Sequence, residues 1–445
     1  MASIFRRDFL RYSALTAAGL LTGPRFGFSP AAAAATAPAA QLAQAKAKAV
    51  IQIWLWGGPS HLDTFDPKPE AGQDYSGPLK AIPTNLDGLQ LCELLPQLAK
   101  LADKYSILHS LTHGNNGHET AAYMVQTGHA DGDRLVYPSM GAVVSLLRGY
   151  ETGYKGLLPP YIVLTQPQGR FSEAGFLGSR YKPFATGGDP ARPVFAVQGI
   201  VAEGISTRRQ EERRNLLHQL DTLGRSMPPG DSVVAEFRQT EEEAYDMILG
   251  EGAKIFDLSQ EGPAMREWYG NHTFGQSCLA ARRLVERGVR YVTINCNGWD
   301  THKQNFPTMR NKVPQLDSGV AALLVDLESR GLLDSTIVWV CGEFGRTPKV
   351  QWEAPWNGGR GHWGNVFSAL IAGGGFKGGH VVGASDAKGQ EVKDRPIYPW
   401  DLLASMYTQL GIDPNGLFPR MDGEVRITQP VAGAVKSGGM LKEIM

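Results

Sequence analysis

The run Val50-Ile-Gln-Ile-Trp-Leu-Trp56 is almost entirely apolar and stops at Gly57-Gly58-Pro59. A short apolar run closed by turn residues is typical of a strand buried on both faces, as in a parallel sheet covered by helices. The same pattern predicts further strands at Tyr105–Leu111, Tyr161–Thr165, Tyr291–Cys296, Thr336–Cys341 and Val366–Ala372.

Segments with helical spacing separate these strands. They predict helices at Leu94–Lys104, Glu119–Gln126, Phe274–Arg287, Val313–Arg330 and Pro399–Leu410, and a polar helical stretch at Arg208–Gly252. Strands that alternate with helices favour an α/β fold: a three-layer, doubly wound, largely parallel sheet. We expect one such domain over residues 41–430, with a helical insertion near 200–290 and a C-terminal tail at 431–445.

The first 40 residues have the pattern of an export signal. Arg6-Arg7 precede Phe9-Leu10, and a weakly apolar run and an alanine stretch follow, which is typical of the twin-arginine type. The apolar run Tyr12–Gly23 is shorter than the ~20 residues of a spanning helix, so we expect no stable membrane span. This interpretation predicts the twin-arginine translocase as a partner and a periplasmic or extracellular location. A chance basic N-terminus ahead of a membrane anchor is the alternative.

Charge and cysteine content exclude several classes of protein. The 44 Lys+Arg residues balance 44 Asp+Glu residues, so no basic footprint for nucleic acid is present. The four cysteines, Cys92, Cys278, Cys296 and Cys341, stand in apolar settings. We interpret them as buried small hydrophobic residues rather than as metal ligands or a disulfide framework.

Two polar motifs in the last third contain candidate metal ligands. Asp300 and His302 follow the predicted strand Tyr291–Cys296, and His362 lies between glycines just before Val366–Ala372. In open α/β sheets, ligand-binding groups gather beyond the carboxyl ends of the parallel strands. Carboxylate and imidazole together suit zinc or a similar divalent ion. Alternatively, Asp300 caps the following helix and His302 is only exposed.

A third motif, Gly342-Glu343-Phe344-Gly345-Arg346, follows the strand Thr336–Cys341. The Glu343 carboxylate suits a metal ligand or a base, and the Arg346 guanidinium suits a phosphate or sulfate, which it can bind through two parallel hydrogen bonds. The alternative is that Glu343 and Arg346 pair with each other and fix the loop.

The N-terminal half adds further candidates. Asp63 follows the first strand, and His118 and Thr120 follow the second. Thr120 suits a nucleophile, although a plain residue of a helix N-terminus is the simpler interpretation. Six of the ten histidines fall near predicted strand ends: His61, His109, His113, His118, His302 and His362.

Several of these motifs resemble one known family. Trp56–Pro69, Ala174–Gly178, Gly298–His302 and Gly342–Pro348 are similar to the domain-of-unknown-function 1501 family, and the resemblance runs from about Val50 to about Arg420. That family is placed in the alkaline phosphatase and sulfatase-like superfamily. The resemblance therefore implies an alkaline phosphatase-like sheet, but no established reaction.

The superfamily's working enzymes hold two metal ions beside a nucleophile. The resemblance implies Asp300, His302 and His362 on one ion, although the Asp-x-His spacing is shorter than usual. For the second ion it leaves Glu343, and Asp63 only if its loop folds back, because Gly57 and Phe344 stand at two ligand positions. His118 falls at the nucleophile position, with Thr120 two residues away.

These observations leave two functions open. The first is an exported metal-dependent hydrolase that acts on a small-molecule or polymer phosphate or sulfate ester. Its cofactor is a divalent metal, with zinc preferred and calcium, magnesium or manganese as alternatives. The second is a catalytically inactive exported binding or assembly protein on the same fold.

Overall fold

The first strand, Ala49–Leu55, lies inside an eight-stranded sheet and is buried along its whole length. The computed structural model describes residues 45–132, 134–166, 173–201, 205–220, 245, 247–419, 425–430 and 437–445. Within these ranges the strands are β1 (Ala49–Leu55), β2 (Ala81–Pro83), β3 (Gln90–Cys92), β4 (Tyr105–Leu111), β5 (Tyr161–Leu164), β6 (Phe184–Ala185), β7 (Tyr291–Cys296), β8 (Thr336–Cys341), β9 (Gly345–Arg346), β10 (His362–Trp363), β11 (Phe367–Ala372), β12 (His380–Val382), β13 (Ala384–Ser385) and β14 (Val392–Asp394).

Helices cover both faces of this sheet. They are α1 (Gln73–Ser76), α2 (Pro96–Ala99), α3 (His118–Thr127), α4 (Met140–Leu147), α5 (Thr207–Leu220), α6 (Glu251–Ile255), α7 (Pro263–Tyr269), α8 (Thr273–Glu286), α9 (Asn305–Ser329) and α10 (Pro399–Gln409). Ile51 and Ile53 point into a core shared with α8 and α9. Val50 and Trp54 point into a second core shared with α3, α4 and α10. Because successive side chains of a strand face opposite ways, a strand between two helical layers must be apolar throughout.

The sheet order is β12-β4-β11-β8-β1-β7-β5-β6. All pairs in it are parallel except those of β11, which runs antiparallel to both β4 and β8. The prediction of a three-layer, doubly wound, largely parallel sheet is confirmed. The reversal of β11 brings its first residue, Phe367, beside Leu111 at the carboxyl end of β4.

Two predicted helices differ from the structure by more than a residue at one end. The single helix predicted over Leu94–Lys104 is wrong, because the chain forms the short helix α2 and then a separate 3-10 turn at Ala102–Lys104. Helix α9 begins at Asn305 rather than at Val313 and continues through Pro314. Proline removes one backbone donor, but burial of Phe306 and Met309 holds the earlier turns against the core.

The four cysteines are free, and only Cys296 is partly exposed, as predicted for small hydrophobic residues. The predicted signal, residues 1–40, lies outside the described residues, as do residues 221–244 of the predicted insertion. Among the helices that are described, none combines the length and the apolar character needed to cross a bilayer. In the described part of the predicted tail, Leu441 and Ile444 are buried in the core.

Candidate functional site

The predicted polar motifs lie at one edge of the sheet. Asp300 and His302 follow β7, Glu343 follows β8, and His118 opens helix α3 after β4. Strand β10 contains His362 and leads into β11. Because β11 is reversed, a residue that precedes it reaches the same edge as residues that follow the parallel strands.

Four side chains from these segments place ligand atoms close together. One ligand atom each of His118, Asp300 and His362 lies within 4.8 Å of the other two. His302 Nε2 lies 2.8 Å from His362 Nε2 and 3.1 Å from Asp300 Oδ1. We call His118, Asp300, His302 and His362 the donor cluster. The cluster unites the three residues predicted on one ion with the histidine predicted at the position of attack.

The hydrogen bonds of two rings fix which nitrogen faces the cluster. His362 Nδ1 donates to the carbonyl of Asn116 at 2.8 Å, and His118 Nδ1 donates to Glu343 Oε1 at 2.7 Å. In the neutral rings, the lone pair therefore sits on Nε2 and points at the Asp300 carboxylate, 3.1 Å from His362 and 3.4 Å from His118. Acceptors do not bond acceptors, so a proton or a metal cation must lie between them. Such outer partners on Nδ1 are the usual companions of metal-binding histidines.

The charges in the cluster shift its pKa values strongly. Hydrogen bonds to Asp300 and to Glu343 raise the pKa of His118 from 6.5 to about 9, although burial opposes the rise. Burial by itself would raise the pKa of the Asp300 carboxyl, but hydrogen bonds from His118 and His362 and the nearby Arg346 outweigh burial and lower it well below the usual range. Without a metal, His118 is thus an imidazolium between two carboxylates at neutral pH.

Arg346 is buried, and neighbouring groups use its donors. Its Nε donates to the Gly58 carbonyl at 2.9 Å, and its Nη2 donates to Asp300 Oδ1 at 2.6 Å and to the Gly57 carbonyl. No ion pair joins it to Glu343 in the part of the chain that the structure describes. The guanidinium therefore holds Asp300 in place, so this geometry does not favour the predicted contact with a substrate anion.

Asp63 is also separate from the donor cluster. Its two oxygens accept from the Arg360 guanidinium, at 2.8 Å from Nε and 3.2 Å from Nη2, and from Asn305 Nδ2 at 2.8 Å. Both Asp63 and Arg360 are fully buried. The loop after β1 thus directs this carboxylate to an arginine rather than to a metal site.

Thr120 keeps its hydroxyl within its own loop. Thr120 Oγ1 lies 2.9 Å from Asn115 Oδ1 and 3.2 Å from the Gly117 carbonyl, both of which accept a hydrogen bond. The structure thus agrees with the simpler interpretation of this residue, and its role as a nucleophile stays a prediction.

The other three histidines at strand ends bond to backbone carbonyls through Nε2. His61 bonds to Gly389, His109 to Phe65 and His113 to Glu343. Burial lowers the pKa values of His61 and His113 to about 4, so both rings are neutral in the folded protein at pH 7.

Gly57 and Phe344, which stand where the resemblance implies ligands of a second ion, supply no ligand atom. A Cβ on Gly57 would lie 2.3 Å from the backbone nitrogen of Asp300, so no carboxylate side chain fits at this position. The Phe344 ring is fully buried and lies against the donor cluster, with its centroid 4.6 Å from that of His362 and 5.0 Å from that of His118. Glu343 remains nearby, with Oε1 accepting from the Gly57 N–H at 2.9 Å.

The family model described as "Protein of unknown function (DUF1501)" matches residues 47–437. The chain belongs to this family. No curated protein matches the chain.

Solved structures that resemble the chain include a protein in the alkaline phosphatase superfamily from Vibrio parahaemolyticus. The two are 11% identical with a TM-score of 0.36, over 84% of this chain and 68% of that one. The lipoteichoic acid synthase LtaP from Listeria monocytogenes is 9% identical with a TM-score of 0.39, over 86% and 75%. A protein from the glycosaminoglycan metabolism of Bacteroides thetaiotaomicron is 11% identical with a TM-score of 0.40, over 86% and 80%.

Sequence reasoning missed three contributors to the site. The Asn116 carbonyl fixes the tautomer of His362, the Phe344 ring packs against two ligand candidates, and Arg360 neutralises Asp63. A backbone carbonyl carries no signal in a sequence. In the sequence, Phe344 indicates only that a ligand is missing at its position, and Arg360 stands just before the glycines that flank His362 without belonging to a recognisable motif.

Proposed function

We propose that this protein is an exported metal-dependent hydrolase that acts on a phosphate or sulfate ester of a small molecule or a polymer. The observation that supports it is the donor cluster, in which the Nε2 atoms of His118 and His362 converge on the Asp300 carboxylate. Three imidazole nitrogens and one carboxylate oxygen match the ligands that zinc prefers. Calcium and magnesium prefer all-oxygen surroundings and fit this donor set less well.

The residues around the cluster would hold it ready for an ion. Glu343 and the Asn116 carbonyl orient His118 and His362 through Nδ1. Arg346 holds Asp300 from the buried side. A bound divalent ion would supply Lewis acidity toward an ester oxygen. Glu343 Oε2 is buried without a hydrogen-bond partner, which suits the predicted role of Glu343 as a base or second ligand.

Elemental analysis and an ester screen test this proposal. Mature protein from metal-replete medium should contain a divalent metal and hydrolyse aryl phosphates or aryl sulfates. The variant Asp300→Ala should lose both properties, whereas Asp87→Ala, at an exposed position, should keep them. Protein without any divalent metal, or turnover that is unchanged in Asp300→Ala, would contradict the proposal. Export is tested separately, because replacing Arg6 and Arg7 by lysine should retain the precursor in the cytoplasm.

A binding or assembly protein without turnover is the second candidate. Gly57 and Phe344 favour it, because they fill the positions of two second-ion ligands. It predicts at most one tightly bound ion and no hydrolysis of any ester. Metal content and turnover, measured on the same preparation, therefore separate the two functions.

A further inference from the structure

We propose that Asp63, Arg360, Asn305 and Thr301 form a positioning ring that sets the spacing of the donor cluster. Arg360 donates to Asp63 through Nε and Nη2, at 2.8 and 3.2 Å, and Asn305 Nδ2 donates to Asp63 Oδ2 at 2.8 Å. Thr301 Oγ1 donates to Asn305 Oδ1 at 2.7 Å. The Arg360 backbone N–H donates to the Thr301 carbonyl at 3.0 Å and closes the ring.

The ring is shielded from water. Asp63, Arg360 and Asn305 have no exposed surface, and Thr301 is 3% exposed. In such surroundings each missing hydrogen bond leaves a buried polar atom unpaired, so every member depends on the others. The ring is therefore more rigid than an exposed set of hydrogen bonds, in which water can replace a missing partner.

The chain around the ring contains three of the four ligand candidates. Thr301 stands between Asp300 and His302, and Arg360 lies two residues before His362. The ring thus fixes the loop after β7 against the segment that enters β10. The backbones also touch here, because a Cβ on Gly359 would lie 1.8 Å from the His302 carbonyl oxygen.

This contact pattern gives Asp63 a role other than that of a ligand. Its carboxylate neutralises a buried guanidinium whose own backbone holds the Thr301 carbonyl. If one member is removed, the distances among Asp300, His302 and His362 should change although none of the three is altered. The predicted effect on metal affinity rests on the proposed function. The predicted effect on the positions of the imidazole rings does not depend on it.

Thr301→Val tests the ring with little change in shape. It removes the hydroxyl that donates to Asn305, whereas Thr301→Ser keeps that hydroxyl. The matched control is Tyr269→Phe, which removes a hydroxyl that donates to Asp326 Oδ2 at 2.9 Å in another buried network. No hydrogen bond of that network reaches the donor cluster within the described ranges. Arg360→Lys, which keeps the charge and loses the planar fork, serves as a second test if Thr301→Val does not fold.

Two measurements are made on each variant. Nitrogen-15 NMR of labelled histidines follows the His302 and His362 rings in the metal-free protein. A Co²⁺ titration gives the Kd, and the visible absorption spectrum reports the coordination geometry. We expect Thr301→Val to shift the two ring signals, raise the Co²⁺ Kd about tenfold and change the spectrum. Thr301→Ser and Tyr269→Phe should resemble the wild type in all three readouts.

The outcomes separate the ring from the metal site. Wild-type ring signals and Co²⁺ affinity in Thr301→Val would overturn the inference, as would an equal loss of affinity in Tyr269→Phe. If the wild type binds no Co²⁺, the proposed function fails and the NMR signals alone decide. In that case, shifted His302 and His362 signals in Thr301→Val support the ring, and unshifted signals refute it.

Discussion

The substitution Glu343→Gln tests the electrostatics of the donor cluster. Glu343 is fully buried, and its Oε1 accepts from the Gly57 N–H at 2.9 Å and from His118 Nδ1 at 2.7 Å. Glutamine has nearly the same shape and retains an oxygen for both bonds, but it carries no charge. We therefore expect the fold to persist and the pKa of His118 to fall.

The expected fall in the His118 pKa follows from the shift of that pKa in the wild-type protein. A rise of the His118 pKa from 6.5 to about 9 corresponds to about 3.4 kcal/mol at about 1.4 kcal/mol per pH unit. Asp300 makes the largest contribution and Glu343 the next, while burial of the ring opposes both. Removal of the Glu343 charge should lower this pKa by at least about one pH unit, or about 1.4 kcal/mol.

The sign of the effect on stability is also fixed. A raised pKa stabilises the folded, metal-free protein fully below the unfolded value of 6.5, and this contribution is lost as the pH rises through about 9. Glu343→Gln should therefore destabilise the protein at pH 6 by about 1.4 kcal/mol or more, and much less at pH 10.

Proton NMR of the His118 ring in metal-free protein gives the pKa directly, and urea unfolding at pH 6 and pH 10 gives the stabilities. Glu353→Gln, at an exposed position, is the control and should change neither quantity. A His118 pKa that stays near 9 in Glu343→Gln would refute the reasoning, because the raised pKa would then not depend on that carboxylate.

Three further predictions concern single residues. His302→Ala should weaken zinc binding in a competition assay by at least about tenfold, whereas the exposed His380→Ala should leave it unchanged. Burial lowers the pKa of His61 from 6.5 to about 4, so this ring alone should cost up to about 3.4 kcal/mol of stability as the pH falls through this window. His61→Gln should reduce the difference in stability between pH 7 and pH 4.5 in urea unfolding, although the similarly lowered pKa of His113 still contributes to it; an unchanged pH dependence would contradict the assignment. Gly57→Ala, whose Cβ would meet a backbone nitrogen at 2.3 Å, should cost about 3 kcal/mol or more. Gly88→Ala has a similar positive φ and no atom within 4 Å, so denaturant unfolding should show a loss of only about 1 kcal/mol.

The sequence was sufficient to predict those strands whose apolar pattern is determined by burial on both faces of the sheet. Strands β7 and β8 have the predicted bounds, Tyr291–Cys296 and Thr336–Cys341. Both lie between two helical layers and are therefore apolar on both faces. An apolar pattern reads the same in either direction, so it could not predict that β11 is antiparallel.

The candidate site was harder to predict, because it depends on contacts between distant residues. The motifs placed Asp300, His302 and His362 at the correct edge, since the ends of parallel strands meet there. No spacing could show that Asp63 would pair with Arg360, which lies 297 residues away along the chain. Nor could it show that His118 and Glu343, 225 residues apart, share a hydrogen bond.

Those separations have a consequence for the order of events during folding. A site that depends on a contact between residues 225 positions apart cannot form before the intervening chain has been arranged, because each long loop costs entropy until its contacts form. The donor cluster can therefore form only after β4, β7 and β11 have come together. A bound metal would therefore stabilise only the folded protein. It would slow unfolding and leave the rate of chain collapse unchanged.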